Sequence, residues 1–220
     1  MEGTINKLHD LKIAIVDYGM GNLFSVRRAF AYLGTNVSIV SDSKEIYDAD
    51  AIILPGVGAF GKAMKNLVER DLIRDLTCAV KEKKIPFLGI CLGMQLLAKR
   101  SPEMGENKGL GWLDAEVERI RSAPGIRIPH VSWNRIAIRQ DTEFLKPIKF
   151  SDTFYFDHSF QFTAVSEGIV AYSDYHGIIP AVIQCENIFA TQFHPEKSQR
   201  SGLVLLKNFL SIVKKYKNQC

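Results

Sequence analysis

Residues 86–97, PFLGICLGMQLL, set a cysteine between an apolar strand-like run and an apolar helix-like run, with Gly89 and Gly93 two residues to either side. Glycines so placed suit a sharp strand-to-helix turn, whose strained backbone leaves little room for flanking Cβ atoms. At that corner Cys91 projects its sulfur above the sheet edge, beside a helix N-terminus whose unpaired N–H groups and dipole favour the thiolate. A free cysteine between Ile90 and Leu92 also reads as ordinary core. Phe193-His194-Pro195-Glu196, near the other end of the chain, tips the balance. A cysteine nucleophile needs a base to take and return a proton, and the base needs a third group to hold its tautomer. His194 and Glu196 follow a strand-like run and so fall on the loop at its end, where they can fill those roles.

Gly56-Val57-Gly58-Ala59-Phe60-Gly61 matches G-x-G-x-x-G after another strand-like run. The dinucleotide reading fails, because the acidic residue expected about 20 positions on, at the end of a second strand, falls in a helical region. The glycines have a better use if their loop approaches Cys91, where exposed N–H groups would stabilise the oxyanion of a tetrahedral intermediate. Asp157-His158-Ser159 offers a rival to His194. Adjacent residues of a strand point to opposite faces, so those three side chains do not converge. His130 and His176 read as structural or surface histidines.

PGVGAFG, GICLGMQLL and ATQFHPEKS, in that order and at these distances, resemble the class I glutamine amidotransferases with a Cys-His-Glu triad. DYGMGN at 17–22, Pro129-His130-Val131 with Trp133-Asn134, and Tyr155-Phe156 with His158-Ser159 resemble one subfamily, the glutaminase subunits of imidazole glycerol phosphate synthase. The likeness runs over about residues 12–214.

That resemblance implies that Cys91 attacks the side-chain amide of glutamine, His194 shuttles the proton and Glu196 orients His194. It places the oxyanion hole at Gly56, Val57 and Gly58 with the amide of Leu92, and the substrate against Gln95 and backbone groups near Ser159 and Phe160. It turns Lys197 toward a (β/α)8 cyclase partner in a heterodimer, and it calls for no cofactor and no metal. Trp133 reads as core or as a partner contact, and His158 as supporting the site or the partner interface. The ammonia would serve synthesis of imidazole glycerol phosphate and an aminoimidazole carboxamide ribonucleotide in histidine biosynthesis.

Ser132 stands where a glycine is usual and Asp157 where a small apolar residue is usual, which leaves the partner's identity open. One alternative is the same chemistry supplying an amidotransferase that builds acetamidino groups on surface-polysaccharide sugars. A cysteine peptidase or γ-glutamyl hydrolase would cleave peptides and need no partner. A non-catalytic regulatory subunit would not retain all of Cys91, His194 and Glu196.

The elements that must position these groups alternate between strand and helix signals through the first half, which implies an α/β fold with a mostly parallel, doubly wound sheet and helices on both faces. Sites in such sheets lie beyond the carboxyl ends of the strands, where Cys91 and both glycine loops fall. After residue 117, short strands separated by turns, among them 127–131 and 154–160, predict an antiparallel extension in the C-terminal half, closed by a helix over residues 202–217. The 220 residues fit an N-terminal extension, 1–11, and one domain, 12–217.

A net charge of +4 on scattered lysines and arginines argues against nucleic-acid binding. No stretch approaches the ~18 apolar residues of a membrane span. The four cysteines form no CxxC pair, which indicates neither a zinc site nor a disulfide framework and fits a reducing, cytoplasmic setting.

Overall fold

The computed structural model describes residues 10–163 and 168–218. Residues 1–9 of the expected N-terminal extension, and Cys220, lie outside the described residues. The first half runs β1 (Ile13–Val16), α1 (Leu23–Tyr32), β2 (Val37–Val40), α2 (Ser43–Tyr47), β3 (Ala51–Gly56), α3 (Phe60–Glu69), α4 (Leu72–Thr77), β4 (Phe87–Cys91) and α5 (Leu92–Gln95). The second half holds the short strands β5 (Arg100–Ser101), β6 (Asn107–Lys108) and β7 (Val117–Arg119), then β8 (His130–Arg135), β9 (Ala137–Ile138), β10 (Thr153–His158) and β11 (Phe160–Phe162). It ends with β12 (Ile169–Asp174), β13 (Ile178–Cys185), β14 (Ile188–Thr191) and α6 (Gln199–Lys217).

Eight strands form one sheet in the order β2-β1-β3-β4-β14-β13-β12-β9, parallel from β2 to β14 and antiparallel beyond it. The expected parallel sheet with an antiparallel extension is therefore present. The central strands β1, β3, β4 and β14 are buried at every position because both faces are covered, and they read as near-continuous apolar runs. Ala14, Val16, Ile52 and Leu54 face Phe60, Leu67, Leu72 and Leu76 of α3 and α4, while Ile13, Ile15, Ala51 and Ile53 face Val26 and Phe30 of α1 and Leu206 and Phe209 of α6. This two-residue alternation across the pleat fills a separate core on each side.

Three boundaries differ from the sequence expectation. The apolar run after Cys91 is helical for only four residues, because Leu97 and Ala98 donate to Met94 and Gln95 in tight turns instead of continuing α5. The strand expected over 127–131 begins at His130, and the strand expected over 154–160 breaks at Ser159 into β10 and β11. β10 pairs with β8, and β11 with β7, as two antiparallel ribbons beside the carboxyl edge of the sheet.

Candidate active site

β3, β4 and β14 are neighbours in the sheet, with Gly56 opposite Cys91 and Thr191 opposite Ile90, so the segments leaving their carboxyl ends share one corner. Cys91 has φ 53° and ψ −107°, a conformation that non-glycine residues rarely adopt and that costs about 1–3 kcal/mol. The packing around it explains the glycines. A Cβ on Gly93 would stand 1.8 Å from the Leu54 carbonyl oxygen, and one on Gly89 would stand 2.8 Å from that of Gly93. Only glycines let α5 start this close to the sheet, so the elbow is dictated by sterics.

His194 leads into a single 3₁₀ turn, Pro195–Lys197, that brings Glu196 back beneath its ring. His194 Nδ1 donates to Glu196 Oε1 at 2.8 Å, with the two side chains only 2% and 1% exposed. The backbone is pinned as well: the His194 N–H donates to the Tyr155 carbonyl at 2.9 Å and Ser198 Oγ donates to the His194 carbonyl at 2.6 Å. Burial alone would lower the His194 pKa. The Cys91 sulfur and then the Glu196 carboxylate overcome it and raise the value to about 10.

A cavity of about 470 Å³ opens over the sulfur, lined by Val57, Gly58, Cys91, Leu92, Gln95, Glu103, Asp157, His158, Ser159 and Phe160 among others. The sites expected from the glycine loop, the elbow and residues 157–160 thus meet at one place. The amide of Leu92 stands in the first turn of α5, where N–H groups lack intrahelical partners. Tyr18 steadies the loop from below: its hydroxyl donates to the Pro55 carbonyl at 2.9 Å, and burial followed by the nearby Cys91 charge pushes its pKa above the ordinary phenol value. A Cβ on Gly56 would stand 2.5 Å from that hydroxyl. Glu103 was not foreseen. It follows β5 in the sequence SPEMGEN, which reads as a solvated turn, yet its Oε2 accepts the Phe60 N–H at 2.7 Å at the cavity wall.

His158, expected to support the site or the partner interface, lines the cavity, is buried at 6% exposure and belongs to an internal chain of hydrogen bonds. Its Nδ1 faces the Phe160 carbonyl at 2.8 Å and must carry the proton, so its Nε2 accepts from His130 Nδ1 at 3.0 Å. His130 Nε2 in turn accepts from Ser132 Oγ at 2.9 Å and Asn134 Nδ2 at 3.1 Å. Ser132 therefore has a task that a glycine could not perform. Burial, and then the partner histidine, hold His130 down to about 3. For His158 burial dominates, the Phe160 carbonyl opposes and His194 adds to the lowering, leaving it at about 4.

Val131 and Trp133 of β8 are 51% and 43% exposed, and Trp133 packs edge-on to Tyr155 with ring centroids 5.9 Å apart. Lys197 lies over the Tyr155 ring, its Nζ 5.2 Å from the centroid. Asp157 is exposed on β10, and its backbone carbonyl accepts from the Cys91 thiol at 3.8 Å. His176 is exposed and remote from the cavity lining. Among the described residues no cluster of three or more His, Cys, Asp or Glu is arranged to hold a metal ion, and no helix is long and apolar enough to cross a membrane.

The family model "Glutamine amidotransferase class-I" matches residues 14–213. The imidazole glycerol phosphate synthase subunit HisH of Caldanaerobacter subterraneus subsp. tengcongensis is 46% identical over 203 residues, covering 92% of this chain and 98% of the relative. The HisH subunit of Aquifex aeolicus is 44% identical over 201 residues, covering 90% and 96%. A solved glutamine amidotransferase structure, 23% identical, matches with a TM-score of 0.71 over 91% of this chain and 98% of its own and shares the fold. With an intact elbow at Cys91 and a model match across nearly its whole length, the chain belongs to the class I glutamine amidotransferases and, within them, to the HisH subunits of imidazole glycerol phosphate synthase.

Proposed function

We propose that this chain hydrolyses glutamine through Cys91, His194 and Glu196 and passes the ammonia to a (β/α)8 cyclase partner in histidine biosynthesis. The observation that carries the reading is the buried His194–Glu196 pair, closed at 2.8 Å just beyond β14, beside the strained Cys91 elbow at the end of the neighbouring β4.

The thiolate attacks the side-chain carbonyl carbon of glutamine, forming a C–S bond and an oxyanion. Amides of the Gly56–Val57–Gly58 loop and of Leu92 hold that oxygen, and such a donor is worth about 2.7–4 kcal/mol in other enzymes. His194 gives its proton to the departing nitrogen as the C–N bond breaks. It then takes a proton from water, which attacks the thioester carbon, and the C–S bond breaks to release glutamate and return the thiolate beside the protonated His194. Glu196 keeps the ring in the orientation both transfers need. Gln95 and the backbone around Ser159 and Phe160 hold the substrate, and Glu103 offers a carboxylate for its ammonium group.

Ammonia protonates in neutral water and is then no nucleophile, so delivery requires a docked acceptor. The exposed Val131 and Trp133 beside Tyr155 and Lys197 form the apolar and basic face that we assign to the cyclase. The chemistry calls for no metal or organic cofactor, in a heterodimer that works in the cytoplasm. The test is glutamate release by the assembled complex with and without the Cys91 sulfur: Cys91→Ala abolishes it while ammonia-dependent synthesis by the partner persists.

A further inference from the structure

Gln192 is the fully buried residue after β14, two positions before His194, and its backbone N–H is held by the Ala181 carbonyl at 2.9 Å. A primary amide sealed from water is costly unless its polar atoms are paired. Both are. Gln192 Oε1 accepts from Gln95 Nε2 at 3.2 Å, and Gln192 Nε2 donates to Cys91 Sγ at 3.8 Å. Gln95 Nε2 is also held by the Phe160 carbonyl at 2.7 Å, the same oxygen that receives His158 Nδ1. With its nitrogen tied on two sides, Gln95 can turn only its carbonyl oxygen to the cavity it lines.

We infer that Gln192 is a further residue of the glutaminase site, donating a hydrogen bond to the Cys91 thiolate and fixing the rotamer in which Gln95 receives glutamine. The inference rests on the glutaminase reading above. Two consequences join in this one side chain. An N–H aimed at sulfur is stronger when the sulfur is charged, so it offsets part of the penalty that burial places on the thiolate. The carbonyl end sets the amide orientation of Gln95, so losing Gln192 frees the Gln95 side chain to flip its donor toward the substrate.

The test uses the whole chain and two variants. Gln192→Glu is isosteric, keeps an acceptor for Gln95 and removes the donor; Gln192→Leu removes both. Alkylation by iodoacetamide is followed at Cys91 by peptide mass across a pH series, which separates it from the other cysteines. The midpoint of the rate against pH rises by about one pH unit in Gln192→Leu, and further in Gln192→Glu where a carboxylate meets the thiolate. The half-saturating concentration of the glutamine-analogue electrophile 6-diazo-5-oxonorleucine rises in Gln192→Leu and less in Gln192→Glu. If Gln192→Leu does not fold, the isosteric variant, with unchanged thermal unfolding, carries the test alone. Wild-type midpoints in the folded variants overturn the assignment of Gln192. Failure of the analogue to label Cys91 in the wild type overturns instead the glutaminase reading beneath it.

Discussion

Lowering the pH from about 6.5 to about 5 offers protons that the His130–His158 pair cannot take while folded. A proton on His158 Nε2 would point at the His130 Nδ1–H, 3.0 Å away, and one on His130 Nε2 would displace the donors from Ser132 and Asn134. The folded values, about 4 for His158 and about 3 for His130, lie below the ordinary 6.5. The unfolded chain therefore binds protons that the fold refuses, and stability falls as pH drops below 6.5 until those folded values are reached. Each such histidine contributes a slope of up to about 1.4 kcal/mol per pH unit, so the pair loses about 2–3 kcal/mol per unit from a total of about 5–15.

His194 does not offset this. Its folded pKa is raised to about 10, so its contribution is complete below pH 6.5 and is lost as pH rises toward 10. Stability should peak near pH 6.5, with these histidines shaping both flanks. The assay is the urea midpoint at constant ionic strength for the wild type, His130→Gln and His158→Gln. Each variant should lose about half of the acid slope, whatever its stability at neutral pH. A wild type flat between about pH 6.5 and 5, or a variant with the full slope, would refute the reasoning.

Lys197→Ala should weaken glutamine-dependent synthesis in the cyclase complex more than ammonia-dependent synthesis, because its charge lies over Tyr155 on the docking face; a wild-type ratio of the two rates would return Lys197 to the solvated surface. Gly93→Ala should cut glutamine turnover about 100-fold, since its Cβ would stand 1.8 Å from the Leu54 oxygen and displace the elbow by roughly an ångström. Unaltered turnover in that variant would show that the elbow tolerates the side chain.

Much of this arrangement could be read from the residues alone, and for physical reasons. The central parallel strands β1, β3, β4 and β14 are buried on both faces, so their apolar runs stand out, and the elbow needs Gly89 and Gly93 for want of space. His194 and Glu196 meet through one local turn, which keeps their pairing visible in the spacing. Other features depend on contacts across the chain. The run after Cys91 is apolar at every position because it is buried all round, so no periodicity marks where α5 ends. α3 begins inside the glycine motif after Ala59, which has no capping side chain, and its first N–H is held by the distant Glu103, so its start has no local signal. Gln192 and Glu103 looked like a strand end and a turn, since their partners Cys91, Gln95 and Phe60 are distant in sequence. The sequence leaves His158 between the site and an interface, and its buried pairing shows only when His130, 28 residues away, is seen opposite it across the ribbon.

The most direct test of the central claim is paired product counting in the complex of this chain with the cyclase proposed as its partner. Glutamate from glutamine is measured beside the partner's synthesis from glutamine and from added ammonia, for the wild type and for Cys91→Ala. The wild type should release glutamate in step with glutamine-dependent synthesis, and the variant should lose both while ammonia-dependent synthesis stays at the wild-type rate. Continued glutamate release by Cys91→Ala would contradict the account, because a nucleophile other than the elbow sulfur would then be cleaving the amide.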